Sequence, residues 1–131
     1  MRHRCVSMFA HAAALLIMKR DADAEWREWE RRAKLIADAA TANAKVRAES
    51  YVPPIANHVP HVRLSWPTTG AKLLGPAVRQ QLRSGDPSIE IVLGDSPPDA
   101  ERQEIALGVW MLQAGEAELV ARRVGDILKG V

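Results

Sequence analysis

The spacing of apolar positions changes along the chain, and each change marks an element. Between residues 21 and 46, Ala22, Trp26, Trp29, Ala33, Ile36 and Ala40 recur at alternating steps of four and three, which predicts a long amphipathic helix. Asp21, Asp23 and Glu25 fall in its expected first turn, where acids oppose the positive end of the macrodipole. Asp23/Arg27, Glu28/Arg32 and Glu30/Lys34 place an acid four residues before a base, each pair contributing roughly a few tenths of a kcal/mol. Two indoles buried against a partner contribute more, about 2–3 kcal/mol apiece by area, so Trp26 and Trp29 are the candidate docking surface. A two-stranded coiled coil is the plainer reading of the same spacing, but alanine at most seam positions makes a weak zipper.

Beyond Val46 the pattern becomes extended. Tyr51-Val52 is closed by Pro53-Pro54, and Val62, Leu64 and Trp66 alternate with Arg63 and Ser65 until Pro67, the period of a half-buried strand. Gly75-Pro76 opens a short helix through Val78 and Leu82, with Gly85 expected as a left-handed terminator. Residues 88–93 read as a further strand with Ile89, Ile91 and Leu93 on one face, and residues 94–103, with Pro97-Pro98 inside, as a solvated loop. Residues 105–112 read as a central strand covered on both sides. A last helix follows, with Ala117, Val120, Ala121, Val124 and Leu128 on one face, Glu116 and Glu118 early, and Arg122, Arg123 and Lys129 late. The fold class this order predicts is α+β: a small, mainly antiparallel sheet with helices packed on one face, preceded by a long amphipathic helix.

Composition narrows the function classes. With 131 residues, 47% hydrophobic and 26% charged, the chain is globular and one domain at most. Its net charge is only +2, with acids and bases interleaved, which argues against nucleic acid. Cys5 is the single cysteine, so no internal disulfide forms and a reducing cytoplasm fits. Residues 1–20 stand apart as an N-terminal apolar helix or remnant segment ahead of residues 21–131. There Arg2 and Arg4 precede an apolar run from Ala12 to Met18, as in a secretory signal. The run is too short to span a membrane and leads straight into Lys19-Arg20-Asp21 without a small-residue cleavage site.

The chain offers little chemistry of its own. His58 and His61 are three apart, but the flanking prolines force an extended path that points them to different sides, and no further Cys or His lies nearby, so no metal site is expected. Asn57 and His58 are instead candidates for the rim of a substrate pocket, or simply a loop capping the sheet. Thr68-Thr69-Gly70-Ala71-Lys72 has glycine, lysine and hydroxyls in the wrong order for a phosphate loop. Neither Ser65 nor Ser88 has a paired base, and dinucleotide fingerprints and nucleophile elbows are absent.

Four segments together resemble the small C-terminal domain of pyridoxal-phosphate enzymes with the aminotransferase fold. The group is the selenocysteine synthase-like one, which includes D-glucosaminate-6-phosphate ammonia-lyase-like proteins. The segments are residues 18–32 around Trp26 and Trp29, residues 52–60, Gly85-Asp86-Pro87-Ser88-Ile89-Glu90, and Met111-Leu112-Gln113-Ala114-Gly115-Glu116 followed by Val120-Ala121-Arg122-Arg123. The resemblance covers residues 9–131. It implies a domain that closes over substrate while a large domain, reached through the long helix, holds the cofactor on a lysine. That large domain would precede Met1, and residues 1–8 match nothing in the group, which suggests a split gene, a start within a formerly longer gene, or a trimmed chain. None of Lys19, Lys34, Lys45, Lys72 or Lys129 matches the motif around the group's catalytic lysine. Gly75 replaces the usual Ser or Thr cap of the middle helix, and residues 68–74 also depart from the pattern.

The resemblance therefore implies a piece of a lyase or transferase that is inactive alone, binds no cofactor by itself, and self-associates or binds a separately encoded large domain, with neither nucleic acid nor membrane as partner. The alternative is a non-catalytic α+β module that binds protein or RNA through an open sheet face. Such a face normally carries exposed aromatics flanked by bases, whereas Trp66 and Trp110 lie in otherwise aliphatic stretches.

Overall fold

A computed structural model describes the backbone of residues 2–55 and 58–131, and side chains from Asp21 onward outside residues 56 and 57. Its elements are α1 (Arg2–Ala40), β1 (Arg47–Tyr51), β2 (His61–Pro67), α2 (Gly75–Ser84), β3 (Arg102–Gly108) and α3 (Glu116–Leu128). The three strands form an antiparallel sheet in the order β1-β2-β3, and helices cover one face. This is the expected α+β class with its long leading helix.

α1 is one helix of 39 residues, about 58 Å long at 1.5 Å per residue. It runs unbroken through residues 20 and 21, because no glycine or proline interrupts the first fifty residues. Asp21, Asp23 and Glu25 are consequently mid-helix and do not oppose a dipole end. The helix stops at Ala40 rather than near Val46, since Asn43 turns the chain: its Oδ1 accepts from Lys45 N at 3.0 Å and its Nδ2 donates to Leu128 O at 2.8 Å. Of the three predicted ion pairs, only Glu28–Arg32 forms among the described residues, at 3.2 Å. Lys34 turns to Asp38 at 2.7 Å.

The predicted stripe becomes buried only toward its C-terminal end. Ala33, Ile36 and Ala40 enter the core, Trp26 and Trp29 are half-buried, and Ala22 is exposed. Across the interface Gly125 of α3 lies so close to Ala39 that an added Cβ would sit 3.2 Å from the Ala39 carbonyl, which is how the two helices approach. The inner sheet face contributes Val62, Leu64 and Trp66 from β2, paired in register with Leu107, Ile105 and Gln103 from β3. Trp66 is 1% exposed, and its indole donates to Leu73 O at 3.0 Å.

Three expectations change. Residues 88–93 form no strand: Ile89 N bonds to Leu82 O at the end of α2, and the segment touches β3 at a single bridge, Leu93 with Ala106. Ile89 and Ile91 are still buried, so the alternation was real while the ladder was not. Gly85 has φ −78° and ψ 174°, extended rather than left-handed. The last strand begins earlier and ends earlier than its apolar run, and it lies at an edge. Its residues are buried because the 92–97 segment runs along that edge, with Glu104 N donating to Ser96 Oγ at 2.9 Å. In α3 the early acids stand as expected, but Arg123 is drawn away from the helix end to donate to Pro87 O and Gln81 O.

Gln103, placed at the end of a solvated loop by its sequence context, is 0% exposed. α2 starts without a side-chain cap from Leu74, and Gln103 Oε1 accepts from Gly75 N at 2.8 Å in its place. The same side chain donates through Nε2 to Pro97 O at 2.9 Å and Thr68 Oγ1 at 3.3 Å. One amide thus ties the start of α2 to two loops, replacing the missing Ser or Thr cap.

Candidate functional site: a groove between the leading helix and the sheet edge

The helix and the first strand diverge and leave a groove of about 570 Å³ whose apolar lining includes Trp26, Ala33, Ala37, Tyr51 and Val52. Sequence and packing explain why it stays open. The inner-face positions on β1 are Ala48 and Ser50, too small to fill the space under α1, so the core that begins at Val62 and Leu64 thins toward this edge. Trp26 Nε1 donates to Glu30 Oε1 at 2.6 Å, so the indole's polar edge is satisfied within its own helix. Trp26 and Trp29 meet edge to face, centroids 5.9 Å apart.

The two predicted docking tryptophans therefore divide. Trp26 lines the groove, whereas Trp29 packs against the core with Trp26 at its edge. His58 is exposed in the loop whose flanking residues, Val52 and Pro60, line the groove, so the two halves of the predicted site share one end of the molecule. Asn57 lies outside the described residues. Val52 and Ile55 on that loop are 43% and 80% exposed, extending the apolar surface beyond the groove. His61 does not join His58: it is buried at the start of β2, its Nδ1–H donating to Val59 O at 2.8 Å.

Two arginines, of which the sequence pattern gave only the pairing of Arg32 with Glu28, fix the helix that carries this surface. Arg32 donates to the carbonyls of Val109 and Leu112, where the chain leaves β3, and to Glu28. Arg31 bridges Glu28 at 2.7 Å and Glu118 of α3 at 3.2 Å. Its hydrogen bond to Glu28 holds that carboxyl down at about 2. Glu118 is lowered by its own backbone amide and then by Arg31, while the Arg31 guanidinium is raised by the two acids. The Glu28/Arg32 spacing signalled the pair within the helix, whereas nothing local signalled the reach to Val109, Leu112 and Glu118.

The outer sheet face is uncovered and polar. Arg63 lies over the Tyr51 ring at 4.3 Å from its centroid, Tyr51 and His61 are 5.5 Å apart, and Arg47 and Arg102 occupy the same face. Trp110 is not in a strand but in the turn after β3, 42% exposed. Trp66, by contrast, is core.

Among the described residues no three His, Cys, Asp or Glu side chains gather to hold a metal ion, and no helix is long and apolar enough to cross a membrane. Comparison with protein-family models, with curated proteins and with solved structures finds no match.

Proposed function

We propose that this chain is the small C-terminal domain of a pyridoxal-phosphate-dependent lyase or transferase of the selenocysteine synthase-like group. It has no cofactor or catalytic amine of its own and works by docking, against a separately encoded large domain or a second copy. The observation that carries the reading is the leading helix. About 36 Å of α1 precedes Trp26, residues 21–25 are exposed, and among the described residues packing on the β-β-α-β-α body starts at the Trp26–Trp29 pair. A long helix that runs on past an open apolar groove is arranged to meet another body.

The described lysines do not fit the cofactor. Lys34 borders the groove, but its side chain is 74% exposed and its ammonium is held by Asp38, without the enclosure that a cofactor-bearing lysine needs. Lys45, Lys72 and Lys129 are exposed elsewhere on the surface. What this chain supplies is a covering surface: Trp26, Val52 and Ile55 leave water on docking, each Å² of apolar area contributing about 25 cal/mol.

Sedimentation velocity over a wide concentration range tests the docking role. The isolated chain is expected to self-associate through this face, and Trp26→Ser, which removes a half-exposed ring outside the core, is expected to remain monomeric. A wild-type chain that is monomeric throughout excludes a second copy as the docked body, and a variant that associates equally well contradicts the role of this face.

A further inference from the structure

We infer that the uncovered face of the sheet is a binding site for a phosphate-sized oxyanion, held by Arg47, Arg63 and Arg102 around Ser65. The inference stands on this face alone and holds whether or not the chain is the domain proposed above. In the strand register Ser65 of β2 lies opposite Arg47 of β1 and Glu104 of β3. Arg63 is two residues before it on the same face, and Arg102 two residues before Glu104. Same-face neighbours along a strand are about 7 Å apart and adjacent strands about 4.8 Å, so one arginine from each strand flanks Ser65, and the Arg102 guanidinium reaches its hydroxyl. They border a depression of about 360 Å³.

None of the three spends its whole guanidinium on the fold. Arg102 donates through Nε and a terminal nitrogen to the same Ser65 Oγ, at 3.3 and 3.2 Å, which leaves the serine proton free to be donated outward. Arg63 is set by the Tyr51 ring beneath it; its Nε–H is buried without an acceptor, and its terminal nitrogen is 3.7 Å from Glu49, longer than a charge-assisted hydrogen bond, so its terminal nitrogens are the donors left for an anion. Arg47 is exposed and makes no side-chain hydrogen bond among the described residues.

Charge and geometry select the ligand. Three guanidiniums against the two carboxylates Glu49 and Glu104 leave the depression positive, and Glu49, 66% exposed, is a counter-ion that an incoming anion displaces. A carboxylate presents two oxygens in one plane and is filled by one arginine fork. A phosphate monoester presents three oxygens in different directions, which suits terminal guanidinium nitrogens from three strands and a hydroxyl.

The test is titration of the full-length chain, isotope-labelled, with inorganic phosphate and with glycerol 3-phosphate at constant ionic strength, following the arginine Nε–H signals by NMR. Sodium acetate and a single-stranded RNA oligonucleotide are run in parallel. Both phosphates are expected to shift the Arg63 and Arg102 signals saturably at millimolar concentration, with acetate at least tenfold weaker. Arg63→Gln should abolish the saturable response. Arg47→Gln, which removes an exposed side chain with no partner in the fold, should weaken it tenfold or more without moving the urea midpoint, and Arg122→Gln on α3 should leave it unchanged. Non-saturating shifts, equal binding of acetate, or equal effects of Arg47→Gln and Arg122→Gln would overturn the site. RNA that binds saturably while both phosphates do not would also overturn it, assigning the face to a nucleic-acid chain instead.

Discussion

Trp66→Ala is expected to destabilise the chain by about 3–5 kcal/mol, enough to unfold much of a domain whose total stability is of order 5–15 kcal/mol. The indole is 1% exposed on the inner face of the central strand, where it joins the cluster of Val78, Leu82 and Ile105. Alanine leaves a cavity in the core beneath β2 and also frees the Leu73 carbonyl that Trp66 Nε1 satisfies. Trp66→Phe retains most of the packing but not that bond, and should cost less than half as much. Urea denaturation followed by far-ultraviolet circular dichroism distinguishes the two. A loss under about 1 kcal/mol for the alanine variant would mean that the sheet is not held on its helices by this residue.

Gln103→Leu is the second large effect, about 2–4 kcal/mol, although the substitution nearly conserves volume and increases hydrophobicity. Leucine fills the space yet leaves the buried Gly75 N without an acceptor at the start of α2 and releases the 97–98 loop, whose Pro97 O loses its donor. Exchange of the Gly75 amide with solvent should accelerate more than that of amides in β2, because the first turn of α2 is released before the sheet. Unchanged stability with unchanged Gly75 exchange would show that the helix start does not depend on this amide.

These two residues also mark how far the sequence could be read. Trp66 was legible because strand β2 alternates cleanly from Val62, and a period of two needs no knowledge of neighbours. The same local logic located α2 at Gly75-Pro76 and α3 after Gly115. Gln103 was not legible: its burial follows from Pro97, Thr68 and Gly75 converging on it across as many as 35 residues of chain, and nothing in the local run of Glu101-Arg102-Gln103-Glu104 signals that. Residues 88–93 misled for a related reason. Ile89 and Ile91 carry the alternation of a strand, but the terminal carbonyl of α2 takes the Ile89 amide, so the backbone never forms a ladder.

The candidate site divided in the same way. The stripe through Trp26 and Trp29 could be seen, because helical spacing is local. Which of the two faces the groove depends on where α1 crosses β1, and that is set by Arg31 and Arg32 reaching α3 and the end of β3. The arginines of the outer face were invisible as a group, since Arg47, Arg63 and Arg102 come together only through the register of three strands.

The central claim, that this chain covers an active site but does not build one, is tested most directly by incubating it with pyridoxal phosphate, reducing with borohydride, and mapping the modified residues by mass spectrometry. The account predicts scattered, substoichiometric labelling of exposed lysines such as Lys34, Lys72 and Lys129, with none protected or favoured. A single lysine labelled to one equivalent per chain would contradict it, because a stoichiometric aldimine requires the enclosed amine that this chain is held not to possess.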